Sequence, residues 1–227
     1  MDWSWIAANA GMLAHYAAQN LFLALVPVLA GLVIALPAGI ASAHWRWVYP
    51  PLLSLTTILY AVPALALIVL ILAYTGLTDT TVIIPLTIYT LAVLIPNVTD
   101  GIRSVPEPVR QAAIAMGFGP LRRLVQVELP AAIPLVIAGL RVATVSSISL
   151  VSVGQLVGFG GLGYLFIDGL QRNFFTTEVW AGVGLIVILA IACDAVLMLA
   201  RWVLTPWMRG RTVKPSRRTR WIRVVVP

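Results

Sequence analysis

Between Asp2 and Arg46 the chain carries no Asp, Glu, Lys or Arg, and the same is true of residues 47–78, 80–99 and 142–167. A water-facing surface is normally studded with such groups. A run of about 20 apolar residues is instead the length at which an α-helix crosses about 30 Å of hydrocarbon with every backbone group paired inside the segment. The runs therefore predict an all-α polytopic membrane bundle of about five transmembrane helices, near 21–43, 52–74, 81–98, 133–157 and 179–204. Composition agrees: 60% of residues are hydrophobic and 10% charged, against about 45–50% and about 25% in soluble domains. Trp45, Trp47, Trp180, Trp202 and Trp207 fall at the span ends, where indoles favour the headgroup region. Trp3 and Trp5 mark an N-terminal segment expected at the interface. Pro27, Pro37, Pro63 and Pro85 interrupt the first three spans and are candidate kinks.

The positive charge is unevenly placed. All basic residues except Arg141 and Arg172 lie in the loop after span one, the loop after span three, or the end of span five and the tail beyond it. The positive-inside rule then puts the N-terminus outside and the C-terminus in the cytoplasm. The start of the chain has Asp2 and no basic n-region, so the first span is expected to stay in the mature protein. The formal charge of +7 has one source: 209–223 is basic without an acid, and without it acids and bases balance. Such a tail suits anionic headgroups and fixes topology; a nucleic-acid partner would need the tail to act alone and is not expected. The single Cys193 excludes an internal disulfide, and with His15 and His44 it cannot complete a zinc site. Asn97-Val98-Thr99 is a glycosylation sequon on the cytoplasmic side of this topology and reads as a chance match. No soluble stretch is long enough for a second domain. The chain is read as one transmembrane domain over 1–227, with a core of about 20–205 and a basic tail over 206–227.

The loop between spans three and four is the most informative segment. Pro106 and Pro108 suit a helix start, Val109, Ala112, Ala113 and Met116 recur at helical spacing, and Gly117 ends the helix. Gly119-Pro120 turns the chain into a second short helix that is expected to end at Leu129-Pro130. Gln111, Ala112, Ala113, Gly117, Val127, Leu129 and Pro130 fall on the spacing E-A-A-x3-G-x9-I-x-L-P. This resembles the cytoplasmic signature of binding-protein-dependent ABC importer permeases. Gln111 replaces the acid, which removes a charge able to pair with a basic partner residue, and Val127 replaces the isoleucine with little change of shape.

The resemblance, which covers about residues 20–205, implies a MetI-like ABC importer transmembrane domain whose elbow sits in a groove of a separate ATP-binding subunit. It also implies a second permease subunit, identical or homologous, and an extracytoplasmic substrate-binding protein. ATP and Mg are expected on the partner ATPase: the only lysine is Lys214, with no phosphate-binding Gly-rich loop before it, so no cofactor is expected on this chain.

After span four, Gly158-x-Gly160-x-x-Gly163 formally matches a dinucleotide fingerprint, but the apolar run before it is too long for a strand. The glycines read as a bend where backbones approach closely. The segment is similar to the Gly-x-Gly-Gly-Leu-Gly stretch of permeases for glycine betaine, choline, carnitine and proline, and of related methionine importers. Ala-Gly-Leu-Arg141, Ile-Asp-Gly-Leu170 and Asp194 lean toward the osmoprotectant branch. Transport of methionine or another small amino acid is the alternative, and an ATPase-independent carrier or scaffold the rival of another class. A carrier is disfavoured because neither inverted repeats nor an intramembrane acid set beyond Asp194 is evident.

Inside the membrane, Arg141, Thr144, Ser152 and Gln155 lie within about 80° of one another at 100° per residue. This polar stripe is either glue between helices of one subunit or part of the translocation pathway. Arg141 and Asp194 lie at comparable depths, roughly 12 and 15 Å from the cytoplasmic ends of their spans, so antiparallel neighbours could bring them together, and they are a candidate intramembrane ion pair.

Overall fold

The computed structural model describes residues 1–209, which are helical almost throughout and contain no strand. The short α1 (Trp3–Ala8) starts at Asp2, whose carboxylate accepts from the Ser4 and Trp5 backbone N–H groups. It leads into α2 (Ala10–His44), which begins well before the apolar window that marks its span. The added turns are amphipathic: Leu13, Tyr16 and Ala17 pack against Leu162 and Leu165 near the far end of the chain.

The second span is two helices, α3 (Tyr49–Ala61) and α4 (Ala64–Thr75), bent by 90°. Pro63 causes the break: it has no N–H and pushes Val62 out of helical geometry, to ψ 130°. The freed backbone is satisfied locally. Val62 N–H turns to Leu59 O at 3.3 Å, and the Tyr89 hydroxyl donates to Val62 O. Pro27, Pro37 and Pro85 leave their helices unbroken.

The third span is α5 (Thr80–Arg103). The elbow follows as α6 (Glu107–Ala115) and α7 (Pro120–Arg123). It departs from the expected layout at its exit. The second elbow helix does not end at Leu129-Pro130 but passes through a π-helical turn, Leu124–Glu128, directly into α8 (Leu129–Gly154). Pro130 cannot donate, so a wider turn in which Leu129 N–H reaches Leu124 O absorbs the missing bond without stopping the helix. Beyond the glycine segment lie α9 (Tyr164–Gln171) and α10 (Thr176–Leu204). The basic tail lies outside the described residues from residue 210 onward.

Among the described residues, four helices are long and apolar enough to cross a membrane, or five when the bent pair is counted as one span, as expected. At the centre α2, α5 and α8 pack together, with α3 and α4 on the flank of α5 and α10 against α8 and α9. Two clusters fill this centre. One joins Leu23, Leu86 and Ile148; the other joins Val28, Leu94 and Ala143. The apolar middle of α10 buries none of its residues within this chain.

Candidate functional site

The elbow emerges where α2 and α8 meet the ends of α3 and α5. Gly117 adopts φ +80°, a left-handed conformation open to glycine at no steric cost, and closes α6 by a turn in which Phe118 N–H reaches Ala113 O. Gln111, Ala112 and Gly117 face outward with Val109, Ile114 and Met116, and Leu121 and Val125 extend this exposed face. Ala113 shares the helical spacing of Val109, Ala112 and Met116 but not their exposure. It is 1% exposed and faces its own chain, so of the two alanines only Ala112 is open to a partner. Val127, Leu129 and Pro130 are half-buried at the root of α8, where they hold the elbow rather than present it.

Sequence reasoning passed over the residue beside them. Glu128 is 1% exposed and faces two arginines and a histidine from three elements. Its Oε1 accepts from Arg123 Nε at 3.1 Å and lies 3.6 Å from Arg110 Nε, while Oε2 lies 3.4 Å from His44 Nε2 at the end of α2. His44 Nδ1 lies 3.0 Å from Ile40 O; a carbonyl only accepts, so Nδ1 is the donor and Nε2 the atom turned to the acid. Arg110 also donates to Ile102 O at 2.7 Å, and Arg103 donates to Ser42 O at 2.7 Å while stacking on Tyr49. A buried carboxylate is tolerated only with such partners. The available signal was an acid on the inward side of the Val-Glu-Leu-Pro stretch, which spacing arguments alone leave unpartnered.

Within the bundle, Arg141 and Asp194 form a two-pronged pair, Nε to Oδ1 at 2.5 Å and Nη2 to Oδ2 at 2.7 Å. The two side chains remain 30% and 29% exposed and line an open groove with Ala138, Val142, Val145 and Ser146. The other stripe residues do not join them. Thr144 is buried in the bundle, and Ser152 and Gln155 lie under Gly163, where an added Cβ would come within 2.5 Å of Ser152 O and 2.9 Å of Gln155 Cβ.

At the end of the bundle away from the elbow, the glycine segment binds α2. Gly158 and Gly161 have φ near +88° (+87° and +89°), and the Gly161 and Leu162 N–H groups donate to Gln19 Oε1 at 3.0 Å and Asn20 Oδ1 at 3.3 Å. Asn20 is fully buried and also donates to Ile148 O. Neither amide was singled out by sequence, since isolated Gln and Asn in an apolar helix give no spacing pattern. Nearby, Asp168 pairs with Arg172 at 2.9 Å beside the buried Glu178. Trp5 meets Phe175 edge to face, and the backbone N–H of Asp2 donates to Thr177 Oγ1.

Comparison with known proteins gives this arrangement a lineage. The choline transport system permease protein OpuBD of Bacillus subtilis is 30% identical over 209 residues, covering 92% of each chain. The osmoprotectant import permease protein OsmW of Salmonella typhimurium is 30% identical over 203 residues, 87% of this chain and 94% of the relative. The glycine betaine/carnitine/choline permease OpuCD of Bacillus subtilis is 29% identical over 203 residues, 89% of each. The fold is similar to that of a chain of the MetNI methionine ABC transporter in an inward-facing crystal form, with a TM-score of 0.67 at 20% identity, covering 88% of this chain and 96% of that one. Residues 31–210 match the family described as binding-protein-dependent transport system inner membrane component, and the chain belongs to that family.

Proposed function

We propose that this chain is the membrane permease subunit of an ATP-driven importer for a small osmoprotectant: glycine betaine, choline, carnitine or proline. Two copies, or this chain and a homologous permease, enclose the pathway. Each elbow docks a separate ATP-binding subunit, which supplies ATP and Mg, and a binding protein delivers solute at the end formed by the glycine segment and α9. The N-terminus is outside and the tail cytoplasmic, in the plasma membrane of a prokaryote. The observation that carries the reading is the elbow: a short helix with an exposed apolar face, closed by a glycine at φ +80° and continuous with a spanning helix, at the spacing of the permease signature. The names of the relatives support the solute class. ATPase closure displaces the elbow, and rigid helices pass that displacement to the membrane. The Arg141–Asp194 groove supports a face turned to a second permease or to water, because charges exposed to lipid are costly.

Two measurements test this. Ala112→Asp combined with Gly117→Val puts a charge on the exposed elbow face and a β-branched residue at a positive φ. The pair should abolish co-purification of the ATP-binding subunit. In a strain lacking other uptake systems, the unaltered chain with its partners should restore growth at high salt when betaine, choline, carnitine or proline is supplied. Normal transport by the double variant would remove the elbow from the mechanism, and rescue by none of the four would remove the solute class.

A further inference from the structure

Helix α2 is fastened at both ends to the segments that meet partners in the proposed scheme. At one end His44 Nε2 lies 3.4 Å from Glu128 Oε2, while Glu128 Oε1 accepts from Arg123 of α7 and lies 3.6 Å from Arg110 Nε of α6. At the other end Gln19 and Asn20 hold the N–H groups of Gly161 and Leu162. The interval from Asn20 to His44 is continuous helix, about 36 Å at 1.5 Å per residue. Between the clamps α2 is pinned laterally: Thr90 Oγ1 lies 3.2 Å from Pro27 O, Ser147 donates to Ala24 O at 3.0 Å, and Gly39 lies against Val98 with no room for a Cβ. Pro27 and Pro37 therefore sit in a helix whose neighbours limit its bending.

The Glu128 cluster is an unusual place to bury charge unless the three elements must stay together. The elbow already supplies two arginines, Arg110 and Arg123, to the carboxylate. The third partner, His44, adds nothing to the elbow's own geometry, but it is the side chain that joins α2 to the cluster.

We propose that α2 carries the movement of the elbow to the glycine segment at the opposite end of the bundle, with Glu128 as the positioning residue that fastens α2 to the elbow through His44. The inference rests on the reading of the elbow as the ATPase contact. It names a route that the covalent path through α7 and α8 does not require. If α8 alone carried the signal, cutting the His44 contact would cost nothing.

The test uses the whole transporter, permease with its ATP-binding subunit and binding protein, in proteoliposomes, with ATP hydrolysis read with and without binding protein and glycine betaine. His44→Ala, Glu128→Gln and Asn20→Ala should each retain the ATP-binding subunit and basal hydrolysis. Each should lose stimulation by the binding protein by about 5- to 150-fold, the usual range of coupling between two sites. Glu128→Asp, which keeps the charge, should recover part of it. Because the two clamps lie on one link, His44→Ala with Asn20→Ala should be no worse than the weaker of the two single variants. Should Glu128→Gln fail to assemble, His44→Ala decides, since His44 is 38% exposed and its loss leaves Arg110 and Arg123 on the acid. Unchanged stimulation in His44→Ala, or a double variant whose loss is the product of the two single losses, would overturn the proposal. Absence of the ATP-binding subunit from the unaltered complex would instead overturn the elbow assignment on which it rests.

Discussion

Replacing Gly39 by alanine tests the packing that holds α2 against α5. A Cβ at Gly39 falls 2.5 Å from Val98 Cγ1 and 2.6 Å from Val98 Cβ, with Thr99 N at 3.3 Å. Rotating Val98 moves Cγ1 but not Cβ, which the backbone fixes. The helices must part by about 0.8 Å to restore an ordinary 3.4 Å contact, and overpacking of this kind costs about 1–3 kcal/mol. Parting them also stretches the Thr99 Oγ1 to Gly39 O contact, already 3.4 Å. Helix propensity pulls the other way, since Ala is favoured over Gly by about 0.8–1 kcal/mol. Gly184→Ala in α10 serves as the reference because it gains the same propensity and meets nothing within 4 Å. Propensity cancels between the two variants, which leaves the overpacking: Gly39→Ala should be less stable than Gly184→Ala by about 1–3 kcal/mol. At about 2–4 °C per kcal/mol for a chain of this size, the melting temperatures should differ by about 2–12 °C. The assay is thermal unfolding of the purified full chain in detergent, followed by tryptophan fluorescence. Equal melting temperatures, or a higher one for Gly39→Ala, would refute the claim that α2 and α5 meet backbone to backbone at this point.

Two further outcomes follow from charges at opposite places. Arg141→Asp or Asp194→Arg alone should weaken assembly of the complex, and the exchanged pair should restore it; native gel electrophoresis of solubilised membranes reads the result, and no recovery in the exchange would break the pairing. Outside the membrane, the Ser4 hydroxyl and the Trp5 N–H hold the Asp2 carboxyl below the usual range. A carboxyl lowered on folding stabilises above its unfolded pKa of about 4 and loses that effect as pH falls through the folded value. The Asp2 contribution to docking of α1 should therefore be fully present above about pH 4 and be lost in acid, as read by fluorescence of a variant retaining only Trp5, with Asp2→Asn abolishing that acid-side loss.

The spans were legible because hydrocarbon imposes one demand, and charge-free runs state it plainly. The elbow was legible for a different reason: Gly117 and the prolines around it punctuate the backbone at fixed intervals, and punctuation survives without tertiary information. The size of the bend at Pro63 was not legible. A proline announces a kink, but a 90° bend requires a partner for the freed Val62 carbonyl, and that partner is Tyr89, 27 residues further on. The exit of the elbow misled for a similar reason, because Leu129-Pro130 looks like a stop until the π-turn supplies another path for the bonds. Glu128 and Asn20 were missed because each is a single polar residue whose meaning lies wholly in distant side chains. The inward aim of Ala113 follows from which face of α6 meets the bundle, which spacing in one helix does not specify.

The π-turn at Leu124–Glu128 also sets how the elbow is aimed. A turn closed five residues back holds one residue more than an α-turn, and one residue is about 100° of rotation about a helix axis. The direction in which Leu121 points, relative to Val142 further along the same rod, is thus a matter of residue count. A homologue that lost one residue here could keep both helices intact and still present the wrong side of its elbow. Length in this stretch works as a compass bearing, which a comparison of residue identities alone would overlook.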